Sequence, residues 1–260
     1  MLSILRAAKA TALFELARSL TPGRFASSLV LGLFPPCMLG LIMLASRMTA
    51  EVEVVIMITV FLVILLSLLL WASPVVYAEL EGRTWIYLAS RPKGRYSTVL
   101  GKYVIAVYWS FAISWGSMTV CLLINEYFAH KPNETFRAWA IFSFLIALAC
   151  PTYAAIFVFL GALFHRRAMV FCAGYILLSE IVLANVPAVV SRFTVRFHLL
   201  GLAIDLFDRK QWMPDPAMRA IFNRQPMWMD ITCLMLFMVV FLAATMWALR
   251  TREYLTADEA

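Results

Sequence analysis

Charged residues are scarce in this chain, 14% of the total, so the places where they gather are the first candidates for chemistry. The densest gathering is Glu79-Leu-Glu-Gly-Arg-Thr-Trp-Ile-Tyr-Leu-Ala-Ser-Arg-Pro-Lys-Gly-Arg95, followed by Ser97-Thr-Val-Leu-Gly-Lys102. Glu79-x-Glu81-x-Arg83 has the residue types of an acid–base centre. An intramembrane hydrolase, however, needs acids and histidines converging at membrane depth, and these acids sit at a surface without a histidine. Glu180 is the one acid inside an otherwise apolar run. Such carboxylates are rare and face the bundle interior. One reading makes Glu180 a pathway or dimer-interface residue; the other makes it a hydrogen-bond partner of a neighbouring helix.

Metal and thiol chemistry find little support. His130, His165 and His198 are far apart, and Cys37, Cys121, Cys150, Cys172 and Cys233 all fall in apolar segments without a Cys-x-x-Cys pair. Neither a metal site nor a disulfide framework is expected; the thiols read as small hydrophobes. Gly101-Lys102 is followed by Tyr103 and lacks the earlier glycine of a Gly-x4-Gly-Lys-[Ser/Thr] phosphate loop, so no ATP site is expected. No catalytic residue and no cofactor is assigned.

The elements that must position these residues follow from composition. Of 260 residues, 63% are hydrophobic, against roughly 45–50% in ordinary soluble domains. A soluble fold of this size cannot hide that surface, whereas a bilayer accepts it. The formal net charge is +7, but the basic residues flank hydrophobic runs, which suits lipid headgroups better than nucleic acid. No nucleic-acid partner is expected.

Six runs are long enough to cross a hydrocarbon core that requires about 20 apolar residues: Phe25–Ser46, Val54–Ala78, Tyr103–Asn125, Ala138–Phe164, Ala168–Ser191 and Ile231–Leu249. Each must be helical, because lipid satisfies no backbone polar group. Lys and Arg crowd the segments that are cytosolic if both termini are inside, including Arg83, Arg91, Lys93, Arg95, Arg166 and Arg167. The last outer segment, with Arg192, Arg196, Arg209, Lys210, Arg219 and Arg224, runs against this asymmetry. Pro35-Pro36, Pro74, Pro151 and Pro187 lie in or near spans, as kinks for alternating access or as tolerated structural prolines.

Residues 1–24 read as an interfacial helix, with Leu5, Leu13, Leu16 and Leu20 on one stripe and Ser3, Thr11, Glu15 and Arg18 opposite. The other reading is a frayed cytosolic tail. Arg6, Lys9, Glu15 and Arg18 interrupt any signal-peptide core, and Thr21-Pro22-Gly23 breaks the helix before the first span. Residues 192–229 hold an apolar stretch, His198–Phe207, too short to span, then Pro214, Pro216 and Pro226 around a second short helix at Ala217–Phe222. A re-entrant or interfacial pair on the outer side is expected. The whole chain, 1–260, is one membrane domain.

The 79–102 stretch resembles that of the ABC-2 type permeases, the membrane subunits of ATP-driven exporters. Glu79, Glu81, Gly82 and Thr84 match the acid-Gly-Thr start. Leu88-Ala-Ser-Arg-Pro92 matches the turn, with Arg91 and Pro92, and Gly101-Lys102 the entry to the third span; Arg83, between the glycine and threonine, departs from the pattern. The resemblance implies an all-α integral membrane fold of six spans, with an N-terminal interfacial helix, a cytosolic coupling helix and a re-entrant outer loop. It implies ATPase coupling through Glu79, Glu81, Gly82, Arg83, Thr84, Arg91 and Pro92. The partners implied are a cytosolic ABC ATPase, a second permease subunit as homo- or heterodimer, and membrane lipids. The place implied is a bacterial plasma (inner) membrane, with both termini cytoplasmic. A polytopic enzyme acting on lipid or peptide and a non-transporting scaffold are the alternatives; no residue selects a substrate.

Overall fold

The computed structural model describes residues 2–19, 21–46, 52–76, 79, 94–129, 132–182, 192–207 and 226–251. Their regular structure is entirely helical: α1 (Leu2–Ser19), α2 (Pro22–Ser46), α3 (Val52–Trp71), α4 (Gly94–Ala129), α5 (Pro132–Leu163), α6 (Ala168–Tyr175), α7 (Val195–Phe207) and α8 (Met227–Thr251). A 3-10 turn, His165–Arg167, joins α5 to α6, and α6 continues as a π-helix over Ile176–Val182. Among the described residues, Pro22–Leu44, Gly94–Tyr127, Thr135–Leu163 and Met227–Thr251 are long and apolar enough to cross a membrane. Val60–Trp71 and Ala168–Glu180 are shorter apolar stretches. The chain is an all-α, multi-pass membrane protein.

Several boundaries differ from those the apolar runs suggest. The second run extends to Ala78, but α3 stops at Trp71 and residues 72–76 form turns. Pro74 cannot donate a helical hydrogen bond, and its ring crowds the preceding turn. Ser73 instead donates its hydroxyl to the Leu69 carbonyl at 2.5 Å. In the other direction, α4 starts at Gly94, so Gly101 and Lys102 lie well inside a helix and not at its mouth. Its 36 residues span about 54 Å, well beyond a hydrocarbon core of about 30 Å. Pro35, Pro36 and Pro151 lie within continuous helices.

Helix α5 is the centre of the bundle. Ala149, Cys150, Ala154, Ala155 and Ala162 are fully buried along it, and small side chains let neighbouring helices approach where lipid provides no hydrophobic drive. Trp115 donates its indole N–H to Ser143 at 3.0 Å, tying α4 to α5. Phe159 and Phe241, 5.5 Å apart, pack α5 against α8. By contrast α2 and α8 leave Leu29, Val30, Leu41, Leu236, Val239 and Val240 exposed, a surface suited to lipid.

Helix α1 packs on the first turns of α4. A Cβ on Gly101 would lie 2.8 Å from the Ala8 carbonyl and 2.9 Å from Thr11 Cβ. Ala8, Thr11 and Ala12 therefore sit directly against α4, where only a glycine fits. Leu13 faces away and is exposed. Small residues won because the backbones come so close.

Replacing Gly101 with valine should push α1 off α4 and lower the unfolding temperature in detergent by several degrees, a core-clash cost of about 1–3 kcal/mol. Gly40, whose Cβ would meet nothing within 4 Å, is the control: Gly40→Ala should leave the midpoint unchanged or slightly raised.

Candidate functional site

Two polar clusters interrupt the apolar interior. The first gathers around Lys102, two turns into α4 and 6% exposed. Its ammonium contacts the Glu79 carboxylate directly and lies 4.0 Å from Glu15 on α1. The Pro74 stop makes this possible, since the chain leaves α3 early and folds Glu79 back over α4. Gly161, whose Cβ would fall 2.8 Å from the Ser73 carbonyl, lets α5 press against the same turn. One cation thus joins α1, the segment after α3, and α4.

An aromatic stack stands beside it. Trp71, at the end of α3, stacks on Trp109 of α4 with centroids 5.5 Å apart and planes 13° from parallel. The Arg24 guanidinium lies over Trp71 at 5.5 Å, a cation–π contact. Trp109 donates its indole N–H to the Ser19 hydroxyl at 2.9 Å, which fixes the end of α1 where the chain turns into α2. Glu15, Arg24, Trp71 and Lys102 line one small cavity.

The second cluster is built on α5, α6, α7 and α8. Tyr153 donates to the Glu180 carboxylate at 2.7 Å, and Ser179 donates to its other oxygen at 3.3 Å. Glu180 is 3% exposed and lies in the π-helix. The wider π turn places Ser179 and Glu180 inward while Leu177 and Leu178 face out. Arg196 donates to the Glu180 carbonyl at 2.7 Å, binding α7 to α6. Of the two readings of Glu180, the hydrogen bond to a neighbouring helix is present.

The start of α7 is fixed twice over. Thr194 accepts the Phe197 N–H at 3.3 Å, an N-cap. Then His198 Nδ1 meets Asp230 Oδ1 at 2.7 Å and Nε2 meets the Arg192 carbonyl at 2.8 Å. A carbonyl only accepts, so Nε2 must carry a hydrogen. A proton must also lie between Nδ1 and the carboxylate, on one side or the other. One hydrogen thus lies between the two side chains, and a second, on Nε2, ties His198 back to Arg192. Asp230 also sits in the first turn of α8, where the helix dipole favours an anion. At the far end of α7, Arg137 of α5 donates to the Leu206 carbonyl at 3.0 Å.

Of the residues matched to the coupling pattern, Glu79, Gly101 and Lys102 are placed; Glu81, Gly82, Arg83, Thr84, Arg91 and Pro92 lie outside the described residues. So does the second short helix expected at Ala217–Phe222. Sequence reasoning did not single out Glu15, Tyr153, Arg196 or Asp230. The available signal was the rarity of charge: Asp230 falls three residues into a long apolar helix. Among the described residues no group of three His, Cys, Asp or Glu side chains could hold a metal ion. Comparison with known proteins gave no matching family model and no matching curated sequence.

Lys102→Met should destabilise the fold by about 3–5 kcal/mol, because two buried carboxylates lose their cation. Adding Glu79→Gln should recover part of that loss, so a denaturant-unfolding double-mutant cycle that proves additive would disprove the pairing. The proton count at His198 makes a second prediction. Asp230→Asn should be tolerated, since its amide donates to a neutral Nδ1, whereas Asp230→Leu should free α7. Hydrogen–deuterium exchange across 195–207 should rise in the leucine variant alone.

Proposed function

We propose that this chain is the permease subunit of an ABC-2 type transporter, exporting an unidentified substrate with ATP hydrolysed by a separate cytosolic subunit. In this reading α2 to α6 and α8 belong to six crossings. Helix α1 lies at the cytosolic membrane surface, and α7 belongs to an outer re-entrant loop. Two permease subunits, identical or related, share the pathway in a bacterial inner membrane, with both termini in the cytosol. The chain itself catalyses nothing; energy arrives through residues 79–102.

One observation supports this above the others. Glu79 and Lys102, the first and last charged residues of the stretch that resembles the coupling loop, are ion-paired and buried. A loop whose two ends are clamped together transmits a push as motion of the attached helices and not as slack. Glu15 brings α1 into the same clamp. ATPase closure against residues 80–93 would then tilt α3 and α4 together.

The alternative of a membrane enzyme draws on a different observation, the buried pairs Tyr153–Glu180 and His198–Asp230. Each of these side chains is already engaged by a protein partner, which suits a structural network better than a substrate site.

Purification with native partners, identified by mass spectrometry, should yield an ABC ATPase whose hydrolysis the chain stimulates. Reversing the charges of Glu79, Glu81 and Arg83 together should uncouple hydrolysis from transport while membrane insertion persists. Normal transport by that variant rules out the coupling role, and co-purification without ATPase stimulation would favour a scaffold. Hydrolysis of lipid or peptide by the isolated chain, abolished in Glu180→Gln, would favour the enzyme.

A further inference from the structure

Among the described residues, no side chain fills the cleft between α2 and α4. It is a groove of about 330 Å³, lined by Phe25, Leu29, Leu33, Ile113 and Val120 and floored by Gly32 and Gly116. A Cβ on Gly116 would meet nothing within 4 Å, so this glycine leaves space that no neighbour uses. On α2 the groove runs from Phe25 to Leu33, eight residues or about 12 Å along a helix axis; on α4 it runs from Trp109 to Val120, about 17 Å. One leaflet of hydrocarbon is about 15 Å deep. The groove therefore has the length and apolar character of a single lipid chain in one leaflet.

Its end is polar, and unsatisfied. Arg24 stands one residue before Phe25, at the start of a membrane-crossing helix, and lies over Trp71. Trp71 is stacked on Trp109, which itself lines the groove. One turn along from Arg24 on the same face, Ser28 lines the groove at 6% exposure, and its buried hydroxyl has no hydrogen-bond partner. The indole N–H of Trp71, in the cavity it shares with Arg24, is also buried and unpartnered. Buried donors without acceptors are rare in folded proteins. Glu15 and Lys102 line that cavity too, but they are joined to each other and to Glu79, which among the described residues leaves the Arg24 charge for a ligand.

We infer that the α2–α4 groove is a binding site for a glycerophospholipid, with one acyl chain along Gly32 and Gly116, the ester region at Ser28 and the phosphate at Arg24. Phosphate and guanidinium form charge-assisted hydrogen bonds that a neutral headgroup cannot make. A bound phospholipid would hold α2 to α4 and fill the cleft. Because Arg24 follows directly on the α1–α2 break, the same lipid would anchor the junction at which α1 packs. This inference rests on the multi-pass fold alone and does not depend on the transport reading.

The test uses the full chain in detergent, delipidated and then given dioleoylphosphatidylethanolamine, dioleoylglycerol or inorganic phosphate, with native mass spectrometry and thermal unfolding as readouts. The phospholipid should stay bound and raise the unfolding midpoint; dioleoylglycerol should bind about tenfold more weakly, and phosphate alone should not protect. Gly116→Leu, which has room for its side chain, should fold and lose the phospholipid. Arg24→Gln should fold and bind phospholipid no better than diacylglycerol. Equal retention by the wild type and both variants would overturn the site, as would equal binding of the two lipids. If Gly116→Leu changes only the oligomeric state, the groove belongs to a second copy of the chain and the proposal is wrong.

Discussion

A lysine ammonium held between two carboxylates is the interaction on which the organisation of one end of this molecule depends. Lys102 is almost fully buried, and a cation in that position is tolerable only with its counter-charges in place. Satisfying it requires three separate pieces of chain to arrive at one point. Helix α1 must lie flat enough against α4 to present Glu15, α3 must stop early enough to return Glu79, and α4 must begin early enough to carry Lys102 inside a helix. Gly101 and Pro74 are the residues that permit the first two. The ion cluster thus specifies an arrangement, whatever its net contribution to stability.

The second polar cluster is organised by the same rule in a different chemistry. Here the polar groups of four helices are satisfied by one another: tyrosine to glutamate, arginine to carbonyl, histidine to aspartate. In a low-dielectric interior such networks are stable only when every member is paired. Helix α7 is held through both its ends, by His198 and Arg196 at the start and by Arg137 at the finish. A helix of 13 residues is too short to cross a bilayer. What holds it in the bundle is this set of bonds together with its buried apolar face.

Helix α5 supplies the buried centre and α2 a more exposed flank. The contrast is one of side-chain size: small residues along α5 let its neighbours close in, whereas α2 meets α4 across a groove that glycine leaves open. Charge at the rim and grease along the floor give that groove a direction. Arg24 over the Trp71–Trp109 stack is the direct link from α2 to α3 and α4.

The sequence by itself determined the solvent and the class of fold. Runs of apolar residues without charge admit only helices in lipid, and the break at Thr21-Pro22-Gly23, the approximate reach of the long helices and the shortness of His198–Phe207 could all be read from spacing. It also pointed to Glu79 and Glu180, because a charge next to or inside an apolar run is conspicuous. Only the tertiary structure decided what those charges meet. Hydropathy averages over a window, so it ran past Pro74 and missed the early end of α3; it also placed the start of α4 too late, since Gly94–Lys102 is polar yet helical. The partners of Lys102 lie 23 and 87 positions away in sequence, and those of Tyr153 and His198 lie 27 and 32 away. No local pattern encodes such pairings, because each depends on how closely two helices can approach, and that is set by the packing of glycine and alanine at the crossing.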